Sequence, residues 1–189
     1  MNPDNTFNFP IPVLGFYGEG SGVGKTTLLT KLLPELFKLG IRVSVIKHAH
    51  HSFEIDYPGK DSYMLRKSGA IQTMIGSSER WALITESNDP KHDSDSNAYL
   101  IQLLNKMDAD LVDIILVEGF RNTNIPKIKI VRSALELPLD SNRDPLLIAI
   151  ATDIELNCPI PLLDLNSPDN IACFIQNWLP LRERQKNRI

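Results

Sequence analysis

Apolar and polar positions fall into alternating blocks along the chain. Residues 13–18, VLGFYG, form a short apolar run that predicts a buried first strand. A glycine-rich stretch follows. Leucines at 28, 29, 32, 33, 36 and 39 then carry a helical spacing over 26–39. Gly40 suits the stop, Lys38 lies in the last turn where a cation is favoured, and Pro34 predicts a kink. IRVSVIK at 41–47 is rich in β-branched residues and reads as a second strand. After the polar stretch 48–62, residues 63–67 predict a short helix that stops at Ser68-Gly69.

Residues 71–77 and 80–86 are strand-like and predict an antiparallel excursion, followed by the polar loop SNDPKHDSDS at 87–96. Helical spacing returns at 98–107. DIILVEG at 113–119 and LLIAIATD at 146–153 read as buried strands, and KIKIVRS at 127–133 alternates as a half-exposed strand would. Residues 161–166 lead into a last helix at 168–178. Strands alternating with helices imply an α/β fold with a mostly parallel sheet flanked by helices. The expected organisation is a flexible lead-in at 1–12, one domain at 13–179 and a basic tail at 180–189.

Composition narrows this picture. The formal net charge of −3 gives no electrostatic reason to expect nucleic acid or an anionic membrane as the main partner. No apolar run approaches the ~18–20 residues of a membrane helix, and MNPDNTFNFPIP lacks the charge and apolar core of a signal peptide. A cytoplasmic protein is expected. Cys158 and Cys173 have neither disulfide-framework nor zinc-site spacing, so two buried, reduced thiols are expected.

The chemistry is concentrated in EGSGVGKTT at 19–27. A strand, a glycine-rich loop and a helix in that order are the setting of a phosphate-binding loop, and the P-loop NTPase class is expected. Gly20, Ser21, Gly22, Val23, Gly24, Lys25, Thr26 and Thr27 are the candidate nucleotide-binding residues. Glycines let successive N–H groups converge on anionic oxygens, Lys25 reaches the phosphates and Thr26 offers its hydroxyl to Mg²⁺. Glu19 stands where the pattern G-x-x-x-x-G-K-[ST] has its first glycine. A carboxylate ~6 Å from a phosphate charge costs about 3 kcal/mol at an effective dielectric near 20. Its side chain is therefore expected to point away from the phosphates, to solvent or a basic neighbour. Glu19→Gly is expected to leave nucleotide affinity equal or slightly better.

Four further blocks carry a resemblance: IKHAHH (46–51), DYPGKDSYMLRKSGA (56–70), ERWALITE (79–86) and ILVEGF (115–120). With the phosphate loop, in this order over about 13–178, they resemble the molybdopterin-guanine dinucleotide biosynthesis protein B (MobB) family. The resemblance implies a GTP-binding, homodimeric adapter with weak GTPase activity. Its implied partners are the guanylyltransferase that joins GMP to molybdopterin, and molybdopterin or the proteins that insert the finished cofactor. A small-molecule kinase or other phosphoryl-transfer enzyme is the rival reading. Arginines on a mobile lid would favour it, and the loop at 87–96 has none.

Other residues take roles around the loop. Glu118 ends the strand at 113–119, where P-loop proteins often present an acid to the metal or its water, so it is the candidate metal and catalytic carboxylate. The alternative is a strand-end ion pair with Arg121. Asp113, at the opposite strand end, is the poorer candidate. Asp56 opens D-x-x-G and is a second metal candidate in a loop of switch-like spacing. Asp61 equally suits an N-cap. Lys47 and His48, at a strand's C-terminal end, suit an anionic ligand; with His50 and His51 they suggest a basic loop more than a zinc site. Lys60, Arg66 and Arg80 are substrate or partner candidates, with solvated surface charge as the plain alternative. The chain lacks N-K-x-D, so Asp153 is the candidate reader of guanine. No water-orienting Gln or arginine finger is identifiable, and slow hydrolysis is expected.

Overall fold

The computed structural model describes residues 9–20, 22–49, 53–87, 95–133 and 144–180. Expectations for Ser21, His50, His51, most of the 87–96 loop, the first eight residues and the tail after Pro180 fall on residues outside these ranges. The chain divides into two compact units, one made of Met1–His48 with Ser96–Ile189 and the other of Ala49–Asp95.

The larger unit is built on a six-stranded sheet. In chain order its strands are β1 (Val13–Gly18), β2 (Val43–Lys47), β5 (Ile114–Glu118), β6 (Lys127–Val131), β7 (Leu147–Thr152) and β8 (Leu162–Asp164). Their spatial order is β2-β5-β1-β6-β7-β8, and every neighbouring pair is parallel. Helices α1 (Lys25–Lys38), α3 (Ser96–Leu104) and α4 (Pro168–Trp178) belong to the same unit. Alternation along the strands divides the core. Leu14, Phe16, Ile114, Leu116, Ile128 and Ile130 pack with Leu28, Leu32 and Leu36 of α1 and Ile171 and Ile175 of α4. The intervening residues Val13, Ile115 and Val117 pack on the other face with Leu100 and Leu104 of α3.

Each predicted strand and helix of this unit is present within a few residues. α1 holds Pro34 inside its span and ends before Gly40, whose φ of +73° lies in the left-handed region. The short β8 on the sheet edge was not read as a strand from the sequence. β6 departs further from expectation: all five of its residues are buried, Lys127 and Lys129 included. Alternation of Lys with Ile suggested one wet face. The strand instead lies between β1 and β7, and both ammonium groups find acceptors. Lys127 Nζ donates to the Arg121 and Thr123 carbonyls at 3.2 and 3.0 Å and lies 3.5 Å from Asp144. Lys129 Nζ donates to Glu19 at 3.3 Å.

The smaller unit contains α2 (Asp61–Lys67) and the antiparallel hairpin β3 (Gln72–Gly76) with β4 (Trp81–Thr85). The hairpin is the expected excursion. Asp61 is the first residue of α2, preceded by Lys60 at the N-cap, so its carboxylate favours the first turn electrostatically and does not cap it. One other expectation changes. Cys158 is only half-buried and Cys173 is exposed, so neither thiol is a core residue. No helix among the described residues is long and apolar enough to cross a membrane.

Candidate functional site

β1 ends at Gly18, and the chain turns through the glycine loop into α1. Gly20, Gly22 and Gly24 have φ of +74°, +84° and +96°, a region closed to most side chains. A chain with Cβ atoms there would be strained, which explains the glycine spacing. Lys25 Nζ reaches back to donate to the Gly20 carbonyl at 2.7 Å, so the ammonium already spans the loop.

Thr26, one residue on, turns toward the neighbouring strand. Its Oγ1 donates to Glu118 Oε1 at 2.8 Å, and Lys47 Nζ donates to the same Oγ1 at 3.3 Å. Lys47 Nζ also lies 3.4 Å from Glu118 Oε1. The register explains this meeting, because Lys47 pairs with Glu118 across β2 and β5, and Glu118 pairs with Phe16 of β1. All three side chains stand where parallel strands end, the usual place for ligand chemistry in such sheets. Glu118 is nine-tenths buried and carries hard oxygen donors beside a hydroxyl. An ammonium held by that hydroxyl and carboxylate is a stand-in for a cation, so the donor set fits Mg²⁺.

Glu118 therefore does not take up the alternative pairing with Arg121. Arg121 Nη1 instead donates to Glu19 Oε2 at 2.5 Å, and Lys129 holds the other Glu19 oxygen. Burial acts to raise the Glu19 carboxyl, but the Lys129 hydrogen bond and the charge of Arg121 outweigh it and hold it below its usual range. The entrance glutamate turns to basic neighbours, as charge required. Beside it, burial and the Asp144 charge push the Tyr17 hydroxyl up to about 12.

His48 closes the other side of Glu118. Its backbone N–H donates to the Glu118 carbonyl at 2.9 Å, and its ring stacks on Phe120 with centroids 4.5 Å apart. A Cβ on Gly119 would sit 3.0 Å from the His48 Cβ, so this approach requires glycine. Phe120 follows with φ of +49°, unusual for a bulky residue, and is held by its burial. Asp153 lies just beyond β7 and is ion-paired with Arg132, which itself follows β6.

The family model described as MobB, molybdopterin guanine dinucleotide synthesis protein B, matches residues 13–153. The chain belongs to this family. It is 45% identical over 170 residues to the molybdopterin-guanine dinucleotide biosynthesis adapter protein of Escherichia coli (strain K12), covering 89% of this chain and 94% of that one. It is also 45% identical over 172 residues to the adapter protein of the same name from Haemophilus influenzae, covering 91% and 92%. Among solved structures, one described as molybdopterin-guanine biosynthesis protein B (mobB) matches with a TM-score of 0.67 and 25% identity, over 88% of this chain and 99% of that one.

The remaining candidates of this MobB-family chain lie in the smaller unit. Arg66 is not a surface charge. Its side chain is 7% exposed, Nη2 donates to Asp56 Oδ1 at 2.7 Å and contacts Glu54, and Nη1 donates to Glu86 at 2.8 Å. The Arg66 hydrogen bond holds the Asp56 carboxyl below its usual range, and the three acids raise the guanidinium's already high value. Asp56 is thus engaged by an arginine within its own unit. Lys60 is exposed at the start of α2, and Arg80 is exposed beside Glu79. Among the described residues, no group of three or more His, Cys, Asp or Glu is arranged to hold a metal. Sequence reading missed Arg132, Arg121 as the partner of Glu19, and Lys129. A positive residue near the C-terminal end of a strand was the available signal for Arg132. Nothing local marked Lys129 as buried.

Proposed function

We propose that this protein is a GTP-binding adapter that assists attachment of GMP to molybdopterin, working beside the guanylyltransferase. The observation that carries the nucleotide reading is the Thr26–Glu118–Lys47 cluster at the root of the glycine loop, with Thr26 Oγ1 2.8 Å from the carboxylate. Loop N–H groups and Lys25 bind the phosphates. Thr26 and Glu118 are the residues that would hold Mg²⁺, which would supply positive charge against the phosphates. Lys47, whose Nζ lies 3.4 Å from Glu118 Oε1, would offer its charge to the phosphates. Hydrolysis is slow, because binding here holds a nucleotide and presents a surface to a partner.

The adapter works as a homodimer in the cytoplasm. Support for the dimer comes from the hairpin: among the described residues β3 and β4 pair only with each other, and Met74 and Trp81 are 65% and 69% exposed. An apolar two-stranded ribbon with open edges suits a second copy.

The test measures guanylyltransferase affinity and output with GTP, a non-hydrolysable GTP analogue, GDP and ATP, each with Mg²⁺. Higher affinity and output with the analogue than with GDP supports the adapter. Equal values throughout mean that nucleotide only stabilises the fold, and nucleotide consumption that depends on an added small acceptor means a kinase.

A further inference from the structure

We propose that Arg132 is the positioning residue of the phosphate loop, and that Asp153 acts through Arg132 rather than on the nucleotide base. The proposal rests on the nucleotide reading above. Arg132 directly follows β6, at the sheet end where β1 feeds the loop. Its guanidinium is engaged on three sides. Nε donates to the Val23 carbonyl at 2.9 Å. Nη2 lies 2.9 Å from where a Cβ on Gly24 would sit, so the group reaches the loop backbone at a residue whose φ of +96° already favours glycine. Nη1 is ion-paired with Asp153 at the end of the next strand.

The Val23 carbonyl and the Gly24 N–H belong to one peptide group. That group is planar and trans, so its C=O and N–H point in opposite directions. Holding the carbonyl toward Arg132 aims the Gly24 N–H away from it. Gly24 precedes Lys25, and its amide is one of the donors a phosphate nest needs. Arg132 thereby sets the direction of a phosphate donor without touching the ligand. The fork geometry of a guanidinium lets one side chain hold a carbonyl and a carboxylate together, which an ammonium does poorly. Asp153 fixes the fork, and one of its two oxygens is committed to it. Phosphates are common to GTP and ATP, so this pair affects both alike.

The experiment titrates wild type, Arg132→Ala, Arg132→Lys, Asp153→Ala and the double variant Arg132→Ala/Asp153→Ala with fluorescent GTP and ATP, with Mg²⁺. Thermal unfolding of each nucleotide-free protein and the amide chemical shift of Gly24 are recorded alongside. Arg132→Ala should weaken both nucleotides by the same factor, about 10-fold, as expected for loss of one charge-assisted hydrogen bond. Asp153→Ala should weaken both equally and less. The double variant should be no weaker than Arg132→Ala alone, since the two act as a unit. Arg132→Lys should recover part of the loss, and the Gly24 amide should move in every weakened variant. Additive losses overturn the proposal. So does a changed GTP-to-ATP ratio in Asp153→Ala, which makes Asp153 a base reader. Wild type that binds neither nucleotide fails the underlying reading instead, whereas wild type that binds while Arg132→Ala binds equally well fails this inference alone.

Discussion

The two units of this chain are held together by opposite means. In the larger one, β1, β5, β6 and β7 are almost wholly buried, and their side chains pack into apolar clusters on both faces of the sheet. In the smaller one, the buried residues among those described are Asp56, Arg66 and Thr73, all polar, while Phe53, Ile71, Met74 and Trp81 are exposed. The first unit is organised by area removed from water. The second is organised around one arginine and three carboxylates, with its apolar residues left outward. A segment this short cannot bury enough surface to stand on a core of its own. Its ion cluster specifies a shape, and its apolar side chains are left exposed.

The sharpest way to break this contrast is to truncate an apolar residue in each unit. Leu116→Ala in β5 should cost about 2–5 kcal/mol of global stability, as a buried leucine in a packed core does. Denaturant unfolding would measure it. A loss below about 1 kcal/mol would mean the sheet core is looser than its burial implies.

Next in size is the entrance glutamate. Glu19→Gly removes the carboxylate shared by Arg121 and the fully buried Lys129. A loss of about 1–3 kcal/mol in thermal unfolding is expected, the scale of a disrupted buried hydrogen bond to a charged group. Glu19→Gly with Lys129→Met should recover most of it. The expectation of unchanged nucleotide affinity still stands for Glu19→Gly, but at a cost in stability that the sequence did not reveal. Full stability in the single variant would show that the carboxylate is idle.

Acid should separate the units. The Lys67 and Arg66 hydrogen bonds lower the Glu54 carboxyl, and the Arg66 hydrogen bond lowers that of Asp56. A carboxyl with a folded value below its unfolded one stabilises the fold fully above the ordinary range near ~4, and that contribution fades as pH falls through the lowered values. Glu19 and Asp164 of the larger unit are lowered too, but that unit rests on its apolar clusters, so the smaller unit should loosen first on acidification. The chain has two tryptophans, Trp81 in the smaller unit and Trp178 in the larger. Trp178→Phe and Trp81→Phe isolate one reporter each. The Trp81 signal should change at higher pH than the Trp178 signal, and coincident transitions would refute the ion-cluster account.

The smallest expected effect on folding is Leu83→Ser. Leu83 is exposed on β4, so stability should move within about 0.5 kcal/mol. Self-association, measured by light scattering, should weaken. An unchanged dimer would move the interface away from the hairpin.

Much of this molecule was legible as pattern. The helical leucines of α1, the apolar runs of β1, β5 and β7 and the glycine spacing of the loop reflect local periodicity and backbone freedom, which neighbours in sequence determine. β6 was misread because burial of Lys127 and Lys129 depends on its place between two other strands. Arg66 was misread for a related reason: its three acids come from positions 54, 56 and 86, and no window along the chain brings them together. The fold class, the glycine-rich loop and membership of the MobB family were thus determined by the sequence itself. Tertiary structure alone decided which charge meets which: Lys47 and Thr26 with Glu118, Arg121 and Lys129 with Glu19, Arg132 with Val23 and Asp153. Ion pairs and side-chain hydrogen bonds act over a few ångströms of space, and strand register, not sequence distance, sets those ångströms.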